Sequence, residues 1–286
     1  MRCLVRVTLL VTTFALATTL PALRHNAGSA APLMPDSDLV EVRPSGAFRY
    51  RASGEFTRGG KAVTAPAVTI VLRRPLAFMR RQVTVAEYRL CVEARSCPAP
   101  DRDMLAPDRP VVKVSWQDAR AYASWLSRDT GKHFRLPTDE EWAYAAGSRF
   151  RDDALPDQPE SSDPGRRALA FYDRETGREQ IIDKAPQPIG SFGANENDLL
   201  DIGGNVWEWT DSCFVRSAVN AQGKVTAAVA NCGVRIVEGR HRAYMVDFVR
   251  DARAGGCATG TPPSNLGFRL VRDDEALSPI SLASLL

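Results

Sequence analysis

The chain has 286 residues, of which 44% are hydrophobic and 25% charged, which is enough to build a sizeable core in one large domain or two small ones. The formal net charge is +3, but residues 1–31 hold three arginines and no acidic residue, so the remainder is formally neutral. This balance excludes a general basic field for nucleic acid.

The N-terminus has the pattern of a secretory signal peptide. Arg2 and Arg6 precede an apolar run over residues 7–20, and small residues at 28–31 offer a cleavage site. An uncleaved anchor is the alternative, although the run is shorter than the ~20 residues of a spanning helix. We therefore expect a signal peptide over 1–31, no membrane span after its removal, and a periplasmic or secreted protein.

Cysteine usage agrees with export. Five cysteines follow the leader, and the short separations of Cys91 from Cys97 and of Cys213 from Cys232 suit disulfides in an oxidising compartment. Sequence alone does not fix the connectivity. Cys257 is left over, either as a buried thiol or as a reactive one.

Beyond the leader, residues 32–47 are predicted to be a loose arm, residues 48–274 one domain, and residues 275–286 a C-terminal tail. Strands are predicted between residues 48 and 74, because Val68, Ile70 and Leu72 alternate with other side chains between glycine turns.

Three helices are predicted from capping boxes, in which a hydroxyl and an acidic side chain satisfy free backbone amides reciprocally. The boxes pair Thr84 with Glu87, Ser115 with Asp118, and Thr138 with Glu141. The helices should cover about 85–94, from 116 to a stop at Gly131, and from 139 to Gly147.

After the third helix, residues 148–188 lose periodicity, as functional loops often do. Residues 201–211 follow, with Gly203 and Gly204 ahead of Trp207 and Trp209. This stretch is either a tight turn leading into a core strand or a site built on purpose from oxygens and aromatic rings. A loop between Cys213 and Cys232, a charged segment over 239–256 and a closing strand over 267–272 complete the chain.

Four stretches together resemble the sulfatase-modifying-factor family, named after the formylglycine-generating enzyme. They are RQVTVAEYRLCV (81–92), PVVKVSWQDARAYASWLSRDTGKHFRLPTDEEWAYAA (110–146), LLDIGGNVWEWTD (199–211) and NLGFRLVRD (265–273). The resemblance runs from about residue 45 to 274. It implies an α+β fold, distantly similar to C-type lectins, in a single domain with long irregular loops.

The resemblance also implies a structural calcium ion at residues 201–208. Its ligands in the family are a polar side chain, two backbone carbonyls and a glutamate, which fall here on Asp201, Gly204, Val206 and Glu208. Hard oxygens on a glycine turn suit calcium. The alternative is Glu208 paired with an arginine and no ion.

The metal chemistry of known relatives is not matched. The formylglycine-generating enzyme oxidises a substrate cysteine with copper held by two cysteines, which are soft ligands suited to Cu(I). The corresponding segment here, 237–260, contains only Cys257, so copper is not expected. Another relative binds iron through several histidines, but only His133 and His241 follow the leader.

The remaining candidates lie in or near the charged segment. We expect His241, Asp247 and Arg250 to be catalytic, because a histidine among charges can transfer protons near neutral pH. Arginine forks and aromatic rings can hold a substrate. The candidate substrate-binding residues are Trp207, Arg242, Tyr244 and Arg253. The alternative is a solvated, salt-bridged surface.

Three functions follow from the resemblance. The first is an exported factor that matures another protein or a peptide-derived metabolite by oxidative or tautomerising chemistry. The second is a non-catalytic accessory factor that binds a periplasmic partner such as a copper nitrite reductase. The third, formylglycine generation itself, is disfavoured by the missing thiolate pair. A protein or peptide is the expected substrate or partner in each case.

Overall fold

The computed structural model describes residues 35–100, 106–152, 163, 165–166, 169, 185–252, 256–257 and 265–273. The predicted signal peptide, the C-terminal tail, Arg253 and most of the aperiodic run lie outside these residues.

The three predicted helices are confirmed, each with its capping box. They are α1 (Val85–Glu93), α2 (Trp116–Thr130) and α3 (Asp139–Ala146). In each box the hydroxyl accepts from the backbone amide three residues on, and the acidic side chain accepts from the backbone amide of the capping residue. Gly131 ends α2 in the left-handed region, at φ 67°, which glycine adopts without steric cost. No helix among the described residues has the length and hydropathy needed to cross a bilayer.

The first sheet joins segments that are far apart in sequence. Its order is β1 (Leu39–Val42), β6 (Leu76–Met79), β13 (Val271–Arg272) and β7 (Phe134–Arg135), and all its pairings are antiparallel. The prediction of a loose arm over 32–47 is wrong for β1, because this strand pairs along its whole length with β6 and buries Val42.

The second sheet is larger and contains a long hairpin. Its strands are β3 (Glu55–Arg58), β4 (Lys61–Val63), β8 (Trp207–Val219), β9 (Val225–Glu238), β10 (Ala243–Val246), β11 (Gly256–Cys257) and β12 (Leu266–Gly267). The order is β11-β10-β9-β8-β3-β4, and β12 pairs with β8 in parallel. A separate pair is formed by β2 (Phe48–Arg51) and β5 (Ala67–Ile70).

Two sequence predictions are corrected by this sheet. The expected loop between Cys213 and Cys232 is a β-hairpin, since β8 and β9 pair antiparallel from Glu208 to Val219. The expected closing strand over 267–272 is broken, because β12 and β13 belong to different sheets. Both predicted disulfides, Cys91–Cys97 and Cys213–Cys232, are confirmed.

The core has two parts, and residues 201–211 contribute to both. Trp209 belongs to the part built around α1 and α2, whereas Ile202 packs with Trp142 of α3 in the other. All three side chains are fully buried. The tryptophan-rich stretch is therefore a turn that leads into the core strand β8.

Candidate functional site

Asp201 fixes the turn that precedes β8. This buried residue has φ 57°, and its carboxylate accepts hydrogen bonds from the backbone amides of Gly190 at 2.6 Å and Phe192 at 2.7 Å. Its carbonyl accepts from the amide of Gly204 at 2.9 Å. Asp201 therefore ties the loop at 190–193 to the turn.

Glu208 forms a buried ion pair with Arg269, and both side chains are 0% exposed. The Arg269 Nε and Nη2 atoms donate to the two carboxylate oxygens at 2.6 and 2.8 Å. Each oxygen accepts a second donor at 2.8 Å, one from Gln82 Nε2 and the other from Trp142 Nε1. The remaining donors of Arg269 go to backbone carbonyls, including that of Leu200 at 2.9 Å. The pair is thus fully hydrogen-bonded inside the protein.

The four residues predicted to bind calcium do not fit the ion while Glu208 holds Arg269. Both carboxylate oxygens of Glu208 already accept two donors, and a calcium ion bound there would lie beside the Arg269 guanidinium. The Gly204 carbonyl also accepts from the amide of Val206 at 2.7 Å. This geometry corresponds to the alternative in which Glu208 pairs with an arginine.

Calcium is therefore expected to leave the thermal stability of the protein unchanged. A ligand that binds only the folded state raises stability by RT ln(1 + [L]/Kd), so a site of useful affinity would shift the melting temperature at millimolar calcium. Differential scanning fluorimetry with calcium, and then with excess chelator, measures this directly. A melting temperature that rises with calcium and falls back with chelator would contradict the ion-pair arrangement.

A second buried network lies where β9 runs into the charged segment. Arg242 Nε donates to Glu238 Oε1 at 3.0 Å and lies 3.5 Å from Asp139 Oδ1 of α3. The Tyr50 hydroxyl of β2 donates to the other Asp139 oxygen, and the Arg242 guanidinium lies 4.8 Å from the Tyr50 ring centroid. Its Nη1 donates to the carbonyl of Arg51 at 2.9 Å. Two acids thus share one arginine inside the protein.

The pKa values of the two acids in this network are shifted in opposite directions. Burial, reinforced by the negative charge of Asp139, raises the pKa of Glu238 well above its ordinary value. Burial also acts to raise the pKa of Asp139, but the charge of Arg242 and several hydrogen bonds outweigh it and lower that pKa. These opposite directions favour a neutral Glu238 beside an ionised Asp139.

A shared proton also accounts for two otherwise unpaired oxygens. Asp139 Oδ1 and Glu238 Oε2 are buried and accept no described hydrogen bond, and the two side chains interact. One proton shared between the two carboxyls would stabilise this arrangement, since a buried polar atom is costly when unpaired. The pair resembles the coupled carboxyls that enzymes use to hold a proton.

His241 packs against Trp207. The Trp207 Nε1 donates to the His241 carbonyl at 3.0 Å, and the two rings meet edge to face with centroids 5.6 Å apart. His241 Nδ1 lies 2.8 Å from the carbonyl of Arg242, which can only accept, so this nitrogen carries a proton. Gly239 allows the close approach, because a Cβ there would lie 2.7 Å from the Trp207 ring. Both Trp207 and His241 are buried.

The other candidates in the segment contact different parts of the fold. Arg250 binds both carboxylate oxygens of Asp118, the acidic residue of the α2 capping box, at 2.8 and 3.0 Å. The Asp247 carbonyl accepts from the amide of Trp116 at 3.0 Å. The Tyr244 hydroxyl accepts from the amide of Gly54 at 2.8 Å. The described contacts of His241, Asp247 and Arg250 therefore do not unite them in one catalytic group.

Sequence reasoning missed two members of the buried network, Tyr50 and Asp139. It pointed to the third, Glu238, only through its position beside the charged segment. Tyr50 gave no signal beyond a predicted strand, and Asp139 appeared only inside a helix start. Glu238 directly precedes the charged segment predicted over 239–256. The pairing of Arg242 with buried acids depends on tertiary contacts, so it could not be recognised from the sequence.

The cysteines do not provide a pair of thiolates in the described part of the chain. Four of them form the two disulfides, and Cys257 lies in β11 with its backbone opposite Tyr244 of β10. No group of three or more histidine, cysteine, aspartate or glutamate side chains suited to a metal ion occurs among the described residues.

Comparison with known proteins finds formylglycine-generating enzymes among the relatives of this chain. The formylglycine-generating enzyme of Streptomyces coelicolor is 30% identical over 187 residues, which cover 60% of this chain and 55% of that protein. The inactive C-alpha-formylglycine-generating enzyme 2 of Bos taurus is 34% identical over 170 residues, covering 56% and 49%. The chain thus spans about half the length of these curated relatives.

A solved structure and a family model agree. The structure of PvdO from Pseudomonas aeruginosa aligns with a TM-score of 0.51 at 21% identity, over 82% of this chain and 94% of that one, and so shares the fold. The model of the sulfatase-modifying factor enzyme 1-like domain matches residues 35–274, most of the chain. The α+β fold predicted from the sequence is confirmed, and the chain belongs to the sulfatase-modifying factor enzyme 1-like family.

Proposed function

We propose that this protein is an exported maturation factor that binds a polypeptide or peptide-derived partner and does not carry out copper-thiolate oxidation. The observation that carries the proposal is the internal pairing of the charged segment. Arg242 is held by Glu238 and Asp139, and Arg250 by Asp118, so neither guanidinium is arranged as an open substrate clamp.

The cysteine inventory supports the same proposal. A two-thiolate copper site needs two reduced cysteines close together, and four of the five cysteines after residue 31 are disulfide-bonded. Cys257 alone supplies one soft ligand. A relative that is named inactive is 34% identical to this chain over 170 residues, so likeness to the family is compatible with absent oxidase activity.

Export is supported by the leader-like N-terminus together with the two disulfides. Arginines, an apolar run and small residues occur in the order of a signal peptide. Disulfides persist in oxidising compartments such as the periplasm. A polypeptide partner in that compartment is the expected target.

A second candidate function is proton transfer, which corresponds to the tautomerising chemistry of the family. The observation in its favour is the Asp139–Glu238 pair, in which one carboxyl is kept neutral beside an ionised one. Both acids and Tyr50 are buried, so a substrate could reach them only after the surrounding residues move. We rank this function second for that reason.

The experiment is an activity assay with the mature chain, from residue 32, after loading with copper(I). Oxygen consumption and aldehyde formation are measured with a cysteine-containing peptide, beside Cys257→Ser as the matched variant. We expect both proteins to remain at background. We also expect both to retain the same polypeptide, in constant ratio, when the tagged chains are cross-linked in the periplasm and purified.

Two results would contradict the proposal. Copper-dependent turnover in the wild type that disappears in Cys257→Ser would restore oxidase chemistry. Solvent deuterium incorporated into a substrate by the wild type but not by Glu238→Gln would favour the proton-transfer function instead.

A further inference from the structure

Among the described residues, the outer edge of the long hairpin is unpaired over much of its length. β9 has 14 residues, but β10 pairs only with Val234–Val237, and the Gly233 carbonyl accepts from the amide of Asp247 at 3.0 Å. In the part of the chain that the structure describes, no strand pairs with the outer side of residues 225–232. We call these eight residues the open edge.

The sequence of the open edge lacks the residue types that protect sheet edges. It reads Val-Thr-Ala-Ala-Val-Ala-Asn-Cys, with no charge and no proline, and its side chains are exposed, Val229 by 70%. Proteins usually blunt an edge with lysine, proline or a covering segment, because a row of free amides and carbonyls can pair with another strand. An uncharged edge of this length is a template for strand addition.

The edge is also held in shape before any partner arrives. On its inner side β9 pairs with β8 from Val225 to Asn231, and β8 is backed by the parallel strand β3. The Cys213–Cys232 disulfide closes the end of the open edge nearest the core. A strand that is already ordered loses little conformational entropy on pairing.

We propose that the open edge pairs with the same edge of a second copy of this chain, antiparallel about a two-fold axis near Ala228. In that register Val225 faces Asn231 and Thr226 faces Ala230 of the other copy. No charged residue faces a like charge, because Lys224 would lie opposite Cys232.

A second copy fits this edge better than a foreign peptide. Strand-addition sites for peptides combine the free edge with pockets or charges that read alternate side chains. The side chains of the open edge are small or β-branched and uncharged, so they offer shape but no sequence-reading contact. Pairing with a second copy needs only free backbone groups and uncharged side chains that do not repel, and the open edge has both.

The expected dimer is weak and reversible. Eight strand residues extend over about 26 Å, at about 3.3 Å per residue. One added strand pair buries less surface than the roughly 1,200–2,000 Å² typical of stable interfaces. Dimerisation should therefore depend on concentration and be visible at high micromolar protein.

The test is sedimentation velocity of the mature chain over a wide concentration range. We expect the wild type to shift from monomer to dimer as its concentration rises. Val229→Lys should raise the dissociation constant of the dimer at least about tenfold, because the two lysines then lie on the same face of the new strand pair. Val229→Thr keeps the strand preference without charge and should dimerise like the wild type. Val71→Lys places a lysine at an exposed valine outside the open edge and should also have no effect.

Circular dichroism and thermal melting establish that each variant is folded, which is expected because Val229 is mostly exposed. A wild type that stays monomeric at every concentration overturns the proposal. So does a dimer that Val229→Lys leaves unchanged, since its interface would then lie elsewhere. A monomer that captures a foreign strand at this edge would also replace the proposed occupant.

Discussion

Replacing Glu208 with glutamine is expected to lower the free energy of unfolding by about 3–5 kcal/mol, because it leaves the Arg269 charge buried without its counter-ion. Arg269→Met should cost a similar amount, since the Glu208 carboxylate then keeps only Gln82 and Trp142 as donors. Chemical denaturation of each variant, with unchanged m-values, measures these losses.

The double variant Glu208→Gln/Arg269→Met is the control for the ion pair itself. Removing both charges should cost less than the sum of the single losses by about 0.5–3 kcal/mol, which is the coupling expected for residues in contact. The exposed pair of Arg216 and Glu55, with side chains 74% and 45% exposed, should cost no more than about 1 kcal/mol when either is replaced by alanine. Equal losses at the two pairs would contradict the buried network.

The second large effect is expected at Arg242. Arg242→Met removes the cation that keeps Asp139 ionised and leaves that carboxylate buried beside Glu238, so the free energy of unfolding should fall by about 3–5 kcal/mol. The hydrogen bond that the Tyr50 hydroxyl donates to Asp139 does not replace the lost positive charge. Denaturation at neutral pH measures the loss, and a change below about 1 kcal/mol, as for an exposed ion pair, would contradict it.

Glu238→Gln tests the same network through its pH dependence. The folded-state pKa of Glu238 is raised, so its contribution to stability is present below the unfolded pKa and is lost as the pH rises through the folded value. One such proton changes stability by at most about 1.4 kcal/mol per pH unit. The lowered pKa of Asp139 acts at the acidic end instead, where its contribution is lost as the pH falls.

Glutamine can still donate to Asp139 and accept from Arg242, so this variant should be nearly as stable as the wild type at neutral pH. As the pH is raised, the wild type should lose stability more steeply than Glu238→Gln. Parallel stability curves for the two proteins would show that Glu238 does not hold the proton.

The helices and the fold class could be predicted from the sequence because their causes are local. A capping box is complete within four residues, so Thr84, Ser115 and Thr138 identified all three helix starts. The two disulfides were also within reach, since short separations limit the possible partners. β1 was not, because an exposed-looking arm becomes a strand only by pairing with β6, more than 30 residues away.

The site could be located but not assembled. The missing cysteine pair in segment 237–260 indicated where this chain departs from its relatives, and Arg242 was named there. Its partner Asp139 is about a hundred residues away in sequence, and Tyr50 is further still. Glu208 illustrates the same limit, because only the fold brings Arg269 to the position where a calcium ion was expected.

The two buried networks have a common consequence for function. The scaffold of the family is held by Glu208 and Arg269, and the charged segment is anchored by Arg242 on Glu238 and Asp139. Glu208, which the sequence offered as a calcium ligand, and Arg242, which it offered as a substrate-binding residue, are thus engaged in holding the fold. Under the proposed function, partner recognition is assigned to exposed surface rather than to a pocket of reactive groups.

Carbon-13 NMR titration of the Glu238 carboxyl group measures whether this residue is neutral inside the internal network. With side-chain carboxyls labelled and Glu238→Gln used for assignment, we expect a Glu238 signal that stays in the protonated position through neutral pH. A Glu238 signal that titrates at the ordinary value of a solvated glutamate would contradict the network and return the charged segment to consideration as an open active site.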